Sequence, residues 1–259
     1  MIDDFNIPIG CAAGCLPRDD LLGADFPVFE DVIQPIPEDE WPDRIAAQTD
    51  TLDDLVAKIK DQGQEGSCAS NAVTGAAETV GNLLWGMDQW IELSAMSVYR
   101  QPGVGRSPSS GSTIGSNLRA MRDVGALPVD NAANRERFVH THPARGFHIS
   151  LPRGYEETAA LFRIHETYDI RTWSGLVTAV LRKFPVVYGR AGHAIYGVKI
   201  VWQNGRAYLV YANSWRASWG ANGRGTDSER AVAGSIRSYG AFAIRSRIVP
   251  DWILAAGDN

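Results

Sequence analysis

Small and apolar residues recur at positions 69, 72, 73, 76, 80, 83 and 84, the spacing that lines one face of a helix. Ala69, Ala72, Ala76 and Ala77 offer little side chain on any face. The spacing therefore predicts a buried central helix with Cys68 in its first turn. Ser94 is a cap candidate for a second helix in ELSAMSVYR, and Ser116–Val124 reads as a third, stopped by Gly125. Trp173–Phe184 suits another, with Ser174 as its cap. The pattern then changes. Segments 185–189, 193–202 and 207–215 alternate or run apolar as strands do, and 241–249 adds a last one. Arg190-Ala191-Gly192 and Gln203-Asn204-Gly205 read as hairpin turns between them. Thr51–Lys60 fits a short helix or a strand equally well. Segment 129–153, with His140, His142 and His148, has few periodic signals and reads as loop.

The pattern thus places helices in the front half and strands in the back half, an α+β order with no internal repeat. Before both halves lies an arm, residues 1–50, broken by Pro8, Pro17, Pro27, Pro35, Pro37 and Pro42. Its apolar residues Ile7, Leu21, Leu22, Phe26, Val28, Phe29 and Trp41 argue for an extended segment that docks rather than a free tail. Of its 259 residues, 44% are hydrophobic and 21% charged, which excludes a disordered chain. No run reaches about 18 apolar residues, so no membrane helix is expected. The start, MIDDFNIPIG, lacks the basic and apolar regions of a secretory signal.

Charge divides the chain. Up to Asp61 there are 15 acids and 4 bases, a net of −11; the rest carries 15 acids and 21 bases, a net of +6. The bases of the body are scattered and have no interleaved aromatics, so nucleic-acid binding is not expected. The acidic arm is expected to dock on this body, held more by its apolar residues than by screened surface pairs. Three cysteines, Cys11, Cys15 and Cys68, cannot build a disulfide framework, and a metal centre would need further ligands beside them or beside His140 and His142. No metal or other cofactor is expected. This cysteine usage suits a reducing compartment, hence a cytoplasmic or virion-associated location.

Cysteine-based catalysis requires a thiolate, a base and oxyanion donors. Cys68 follows a Gly-Ser turn at a helix start, where the helix dipole favours the thiolate, so its pKa is expected to be depressed. His193 opens a strand behind Ala191 and Gly192, and a hairpin could bring Asn213 beside it to orient the imidazole. Taken singly, each of these residues has a plainer reading. A cysteine in an Ala-rich helix is a small core residue, Gln62 is a polar residue at the surface, and Trp215 and Trp219 are core aromatics.

Taken together and in this order, the segments resemble the papain-like cysteine peptidases of the C1 type. Gln62-Gly63-Gln64-Glu65-Gly66-Ser67-Cys68 looks like that family's nucleophile segment, and GSCASNA is nearest its bacterial or phage-like branch. Gly192-His193-Ala194 resembles the histidine segment, and Tyr208–Gly223, YLVYANSWRASWGANG, the asparagine segment. The resemblance spans about residues 36–250. It implies a two-lobed papain-like α+β fold. The helical lobe would span 51–130 and the β-rich lobe 131–259, with the active-site cleft between them and the arm crossing onto the β-rich lobe.

It also implies a thiol peptidase acting on a peptide or protein substrate. Cys68 would be the nucleophile and His193 the base and acid. Asn213 would orient His193, and Gln62 would donate to the oxyanion. Trp215 would shield the Asn213–His193 pair, and Gly66, Ser67, Gly111, Ser112, Ala191 and Gly192 would line the substrate. Rival readings are a papain-fold module without activity, as in a virion or assembly, and an amidase or acyl transferase using the same residues. Departures are Glu65, where the family has a disulfide cysteine and the cleft wall loses a staple, and Arg216, where it commonly has glycine. The short connection before His193 implies low walls there.

Overall fold

The computed structural model describes residues 7–8, 10–18 and 25–248. The arm carries two short helices, α1 (Phe29–Val32) and α2 (Trp41–Ala46). The next part holds α3 (Cys68–Trp85), α4 (Ala95–Tyr99), α5 (Ile114–Asp123), α6 (Ala132–Arg137) and α7 (Glu156–Ala160). Strand β1 (Ile164–Ile170) and helix α8 (Trp173–Leu181) lead into β2 (Val186–Arg190), β3 (His193–Gln203), β4 (Arg206–Ala212) and β5 (Arg224–Ser228). Helix α9 (Glu229–Tyr239) and strand β6 (Ala241–Arg247) follow. Among the described residues no helix is long and apolar enough to cross a membrane.

Helix α3 is buried from Cys68 to Asn82. Its small residues let neighbours approach: a Cβ on Gly75 would stand 2.7 Å from the Tyr196 ring of β3. Its buried Glu78 accepts hydrogen bonds from Lys60 Nζ at 2.7 Å, the Leu93 N–H at 2.7 Å and Trp90 Nε1 at 3.2 Å. These satisfy a carboxylate that would otherwise be costly to bury.

The six strands form one sheet in the order β1-β6-β2-β3-β4-β5, each neighbouring pair antiparallel. Successive strand residues face opposite sides. Val187, Ala194, Tyr196 and Phe242 pack with α3, while Val186, Tyr188, Ile195 and Leu209 pack with α8 and the arm. Tyr188 of β2 donates its hydroxyl to Asp227 of β5 at 2.9 Å across two intervening strands, so the sheet curls strongly. Arg190 of β2 also pairs with Asp227.

Both expected hairpins are present. Ala191 and Gly192 have φ of 48° and 78°, and Asn204 and Gly205 have 50° and 72°; two residues at positive φ make the turn type that matches strand twist. An alanine in this region is strained by roughly 1–2 kcal/mol. Ala191→Gly is therefore expected to stabilise the protein by about 1 kcal/mol, a rise of roughly 2–4 °C in Tm for a chain this size. A lowered Tm in calorimetry would show that the turn is not strained.

Several boundaries differ from the sequence expectation for local reasons. Helix α5 begins at Ile114 rather than 116, because the Thr113 side chain accepts the Ser116 N–H. Helix α8 is capped by Thr172, which accepts the Gly175 N–H, and not by Ser174. Thr51–Lys60 is neither an α-helix nor a strand: Leu52–Leu55 makes one 3-10 turn, closed by reciprocal Thr51–Asp54 hydrogen bonds, and extended chain follows. Sequence periodicity does not predict β1, β5 or α9.

Phe26, Phe29 and Trp41 are buried, Phe29 edge-on to Tyr168 and Phe26 edge-on to Phe242. Glu30 accepts hydrogen bonds from the Arg171 and Thr172 N–H groups, and Arg18 pairs with buried Asp169 at 2.8 Å. Apolar burial therefore holds this stretch of the arm, with few ionic contacts added. Leu21, Leu22 and the last residue of the strand expected over 241–249 lie outside the described residues.

Candidate active site

Cys68 is the first residue of α3 and is fully buried. The backbone N–H groups of Ala194, next to His193 on β3, and of Ala69, Cys68 and Gly14 favour its thiolate. His193, also fully buried, opens β3 after the tight Ala191-Gly192 turn. Asn213 follows the end of β4, one residue past Ala212. Its Oδ1 lies 2.7 Å from His193 Nε2 and also accepts the Ser214 N–H at 2.7 Å. The backbone donor identifies that atom as the oxygen, so Nε2 carries the imidazole proton and Nδ1 keeps the lone pair. The Trp215 indole stacks on His193 at 4.0 Å, and Trp219 meets Trp215 edge-on at 5.6 Å.

Gln62 is fully buried beneath the same cleft. Its Oε1 accepts the Ser214 hydroxyl at 2.6 Å, which turns Nε2 outward. Nε2 donates to the Glu65 carbonyl at 2.8 Å and to the Ala12 carbonyl at 3.0 Å. Ser214 is thus a positioning residue that sequence reasoning passed over, although it lies inside the quoted Asn213-Ser214-Trp215 segment.

Ala12 belongs to the arm, and the arm runs through the cleft. Trp215 Nε1 donates to the same Ala12 carbonyl at 3.3 Å. The Gly14 and Cys15 N–H groups donate to the Gly192 carbonyl at 3.0 and 2.8 Å. The Ser112 N–H donates to Gly14 O at 2.8 Å, and the Leu16 N–H to Ser112 O at 3.0 Å, a parallel bridge. Gly14 lies so close that a Cβ on it would stand 2.3 Å from the Gly66 carbonyl oxygen; one on Gly111 would stand 2.4 Å from Gly14 O. Gly66, Gly111, Ser112, Gly192 and Trp215 therefore all touch one peptide segment. Ser67 instead faces inward, its carbonyl accepting from Asn71, and Ala191 shapes the turn.

With the arm in place, burial sets the electrostatics of the site. Burial pushes the Cys68 thiol up to about 12, against the pull of the backbone donors around it. Burial also drives His193 down to about 4, against the Asn213 hydrogen bond. The expectation of a depressed Cys68 pKa is thus overturned for this state: desolvation outweighs the helix start, and both groups are neutral. Buried Cys15 is also raised well above the ordinary thiol value.

The two departures have visible consequences. The Glu65 carboxylate accepts the Gly146 and Phe147 N–H groups at 3.1 and 2.7 Å, so the loop is pinned here by hydrogen bonds and the cleft wall keeps a staple. Arg216 adopts φ of 72°, a conformation that suits glycine, and pairs with Asp61 at 3.3 Å on the rim. His142 is buried, with Nδ1 3.3 Å from Ser94 Oγ, and is structural.

No protein-family model matches the sequence, and comparison with curated proteins gives no match. Solved structures do match. Xylellain, a cysteine protease from Xylella fastidiosa, superposes with a TM-score of 0.64 at 17% identity, covering 92% of this chain and 97% of that one. Digestive procathepsin L2 proteinase from the Tenebrio molitor larval midgut gives 0.65 at 17%, covering 92% and 79%. Procathepsin B S9 from Trypanosoma congolense gives 0.60 at 14%, covering 91% and 87%. The fold is papain-like α+β.

Proposed function

We propose that this chain is a cysteine-type peptidase whose cleft is closed by its own N-terminal arm. The observation that carries the reading is a peptide carbonyl, that of Ala12, hydrogen-bonded to Gln62 Nε2 beside Cys68 and the His193–Asn213 pair. With the arm displaced, His193 Nδ1 takes the Cys68 proton and the sulfur attacks a substrate carbonyl. The oxyanion receives the Gln62 Nε2 and Cys68 N–H hydrogen bonds. His193 then protonates the leaving amine, and water, deprotonated by His193, hydrolyses the thioester.

The arm resists this chemistry in place because it fills the cleft: its Ala12 carbonyl occupies Gln62 Nε2, and Gly14 lies against the backbone of Gly66 and Gly111. The likeness to cysteine proteases supports the reading at the level of the fold. A second reading, a papain-fold module without activity, draws on the same filled cleft. A thiol-directed epoxide and a peptide-hydrolysis assay, applied to the full chain and to Gly14→Ala, separate the two. Labelling at Cys68 together with peptide hydrolysis in Gly14→Ala supports the peptidase. Labelling without hydrolysis supports the inactive module.

Seating of the arm should depend on pH. His193 is held below its ordinary 6.5. Its burial therefore stabilises the seated arm fully above that pH, and the contribution fades as pH falls towards about 4. Cys68 is raised, so its contribution is complete below the free thiol's pKa and fades at alkaline pH. Arm opening is expected to rise about tenfold between about pH 7.5 and about pH 5.5. Limited proteolysis of the arm at the two pH values checks this, and equal cutting rates would rule out linkage through His193.

A further inference from the structure

Five consecutive small residues, Cys11-Ala12-Ala13-Gly14-Cys15, cross the cleft, while Leu16, which follows them, and Ile7, four residues before them, are 43% and 46% exposed. Cys15 is the buried one, at 4% exposure, and its side chain joins the core around α3. Its N–H bonds the Gly192 carbonyl and it pairs with Ser112, so another peptide on the same backbone edges would place a side chain in the same space.

That space is small and closed. A Cβ on Gly189 would lie 3.1 Å from the Cys15 sulfur and 2.3 Å from Tyr239 Cβ. Gly189 of β2 is thus the floor, and Tyr239, the last residue of α9, packs directly on it as a wall. Beyond the pocket the Arg18 N–H donates to the Ser238 carbonyl at 2.8 Å, tying the chain over the end of α9. Along the rest of the segment, Gly14 lies against the backbone of Gly66 and Gly111.

We infer that the cleft selects peptides of small side chains, with Gly189 and Tyr239 closing a cysteine-sized pocket at the position that pairs with Ser112. The inference rests on the peptidase reading for its substrate and on the seated arm for its geometry. An extra methylene in an apolar pocket changes selectivity by about 10–200-fold, so leucine or phenylalanine there should be strongly disfavoured.

Two measurements test this. In the full chain, the Cys68 alkylation rate reports whether the arm is seated. Cys15→Ala should stay as protected as the unaltered chain, and Cys15→Phe should react at least about tenfold faster. Adding Tyr239→Ala, or Tyr239→Val should alanine not fold, should return Cys15→Phe towards the protected rate. A Cys15→Phe chain as protected as the unaltered one, or no return on opening the wall, overturns the pocket. Separately, full-length Gly14→Ala is given a mixed peptide library. Cuts flanked by Gly, Ala, Ser and Cys are expected, with Leu, Phe and Tyr admitted by the further Tyr239→Ala change. A preference for large side chains overturns the selectivity. A library left uncut while Cys68 alkylates readily overturns the peptidase reading and leaves the pocket to the first measurement.

Discussion

Gly14→Ala is expected to raise the alkylation rate of Cys68 on the order of 100-fold. Gly14 passes so close to the cleft wall that an added Cβ would stand 2.3 Å from the Gly66 oxygen and 2.6 Å from its Cα. Those atoms are backbone and cannot rotate away. Overpacking of this kind costs about 1–3 kcal/mol, and about 1.4 kcal/mol is a factor of ten in an equilibrium; unyielding neighbours place the effect at the upper end. The arm can leave without unfolding the body, because its other stretch is held separately by buried Phe26, Phe29 and Trp41. Exposure then lessens the desolvation that pushes Cys68 up to about 12, and the thiol becomes accessible. Gly234→Ala on α9, where a Cβ meets nothing within 4 Å, is the control and should leave the rate unchanged. Equal rates for Gly14→Ala and the unaltered chain would show that the arm is not seated in solution as it is here.

Features fixed by local pattern were legible in the sequence. The Ala-rich period of α3, the Ala191-Gly192 and Asn204-Gly205 turns, and the order of Cys68, His193 and Asn213 needed only short-range reading. The structure brings His193 and Asn213 to 2.7 Å because the β3–β4 hairpin returns the chain to its start. Features that depend on distant partners were not legible. Strand β1 reads IHETYDI, with four titratable residues, and holds its place by pairing with β6, from which the chain separates it widely. Cys11–Cys15 has no periodicity; its role follows from a cleft built by Gly66, Gly111 and Gly192, each of which looks like ordinary loop punctuation. The Cys68 pKa failed for the same reason: a helix start can be read from sequence, whereas the desolvation that overrides it comes from the folded surroundings, with the arm seated among them.

Gln62→Ala should act in opposite directions on two readouts. In an arm-released form such as Gly14→Ala, it removes an oxyanion donor, which typically costs about 10²–10³ in kcat, or about 2.7–4 kcal/mol, with KM little changed. The magnitude rests on preorganisation: the Ser214 hydroxyl, 2.6 Å from Oε1, already aims Nε2 at a peptide oxygen, so no reorientation is needed as charge develops. In the full chain the same substitution deletes the hydrogen bond that holds the Ala12 carbonyl at 3.0 Å. A hydrogen bond of this kind contributes about 0.5–1.5 kcal/mol, so Cys68 should be alkylated roughly 2–12-fold faster even as turnover falls. Loss of the arm contact alone would raise both readouts, whereas loss of fold would abolish turnover and also expose Cys68, and is recognised by a lowered Tm in calorimetry. With Tm unchanged, a donor serving the arm's carbonyl and the substrate's oxyanion in turn is what makes them diverge. An unchanged kcat in the released form would remove Gln62 from the proposed chemistry and leave it as a clasp for the arm.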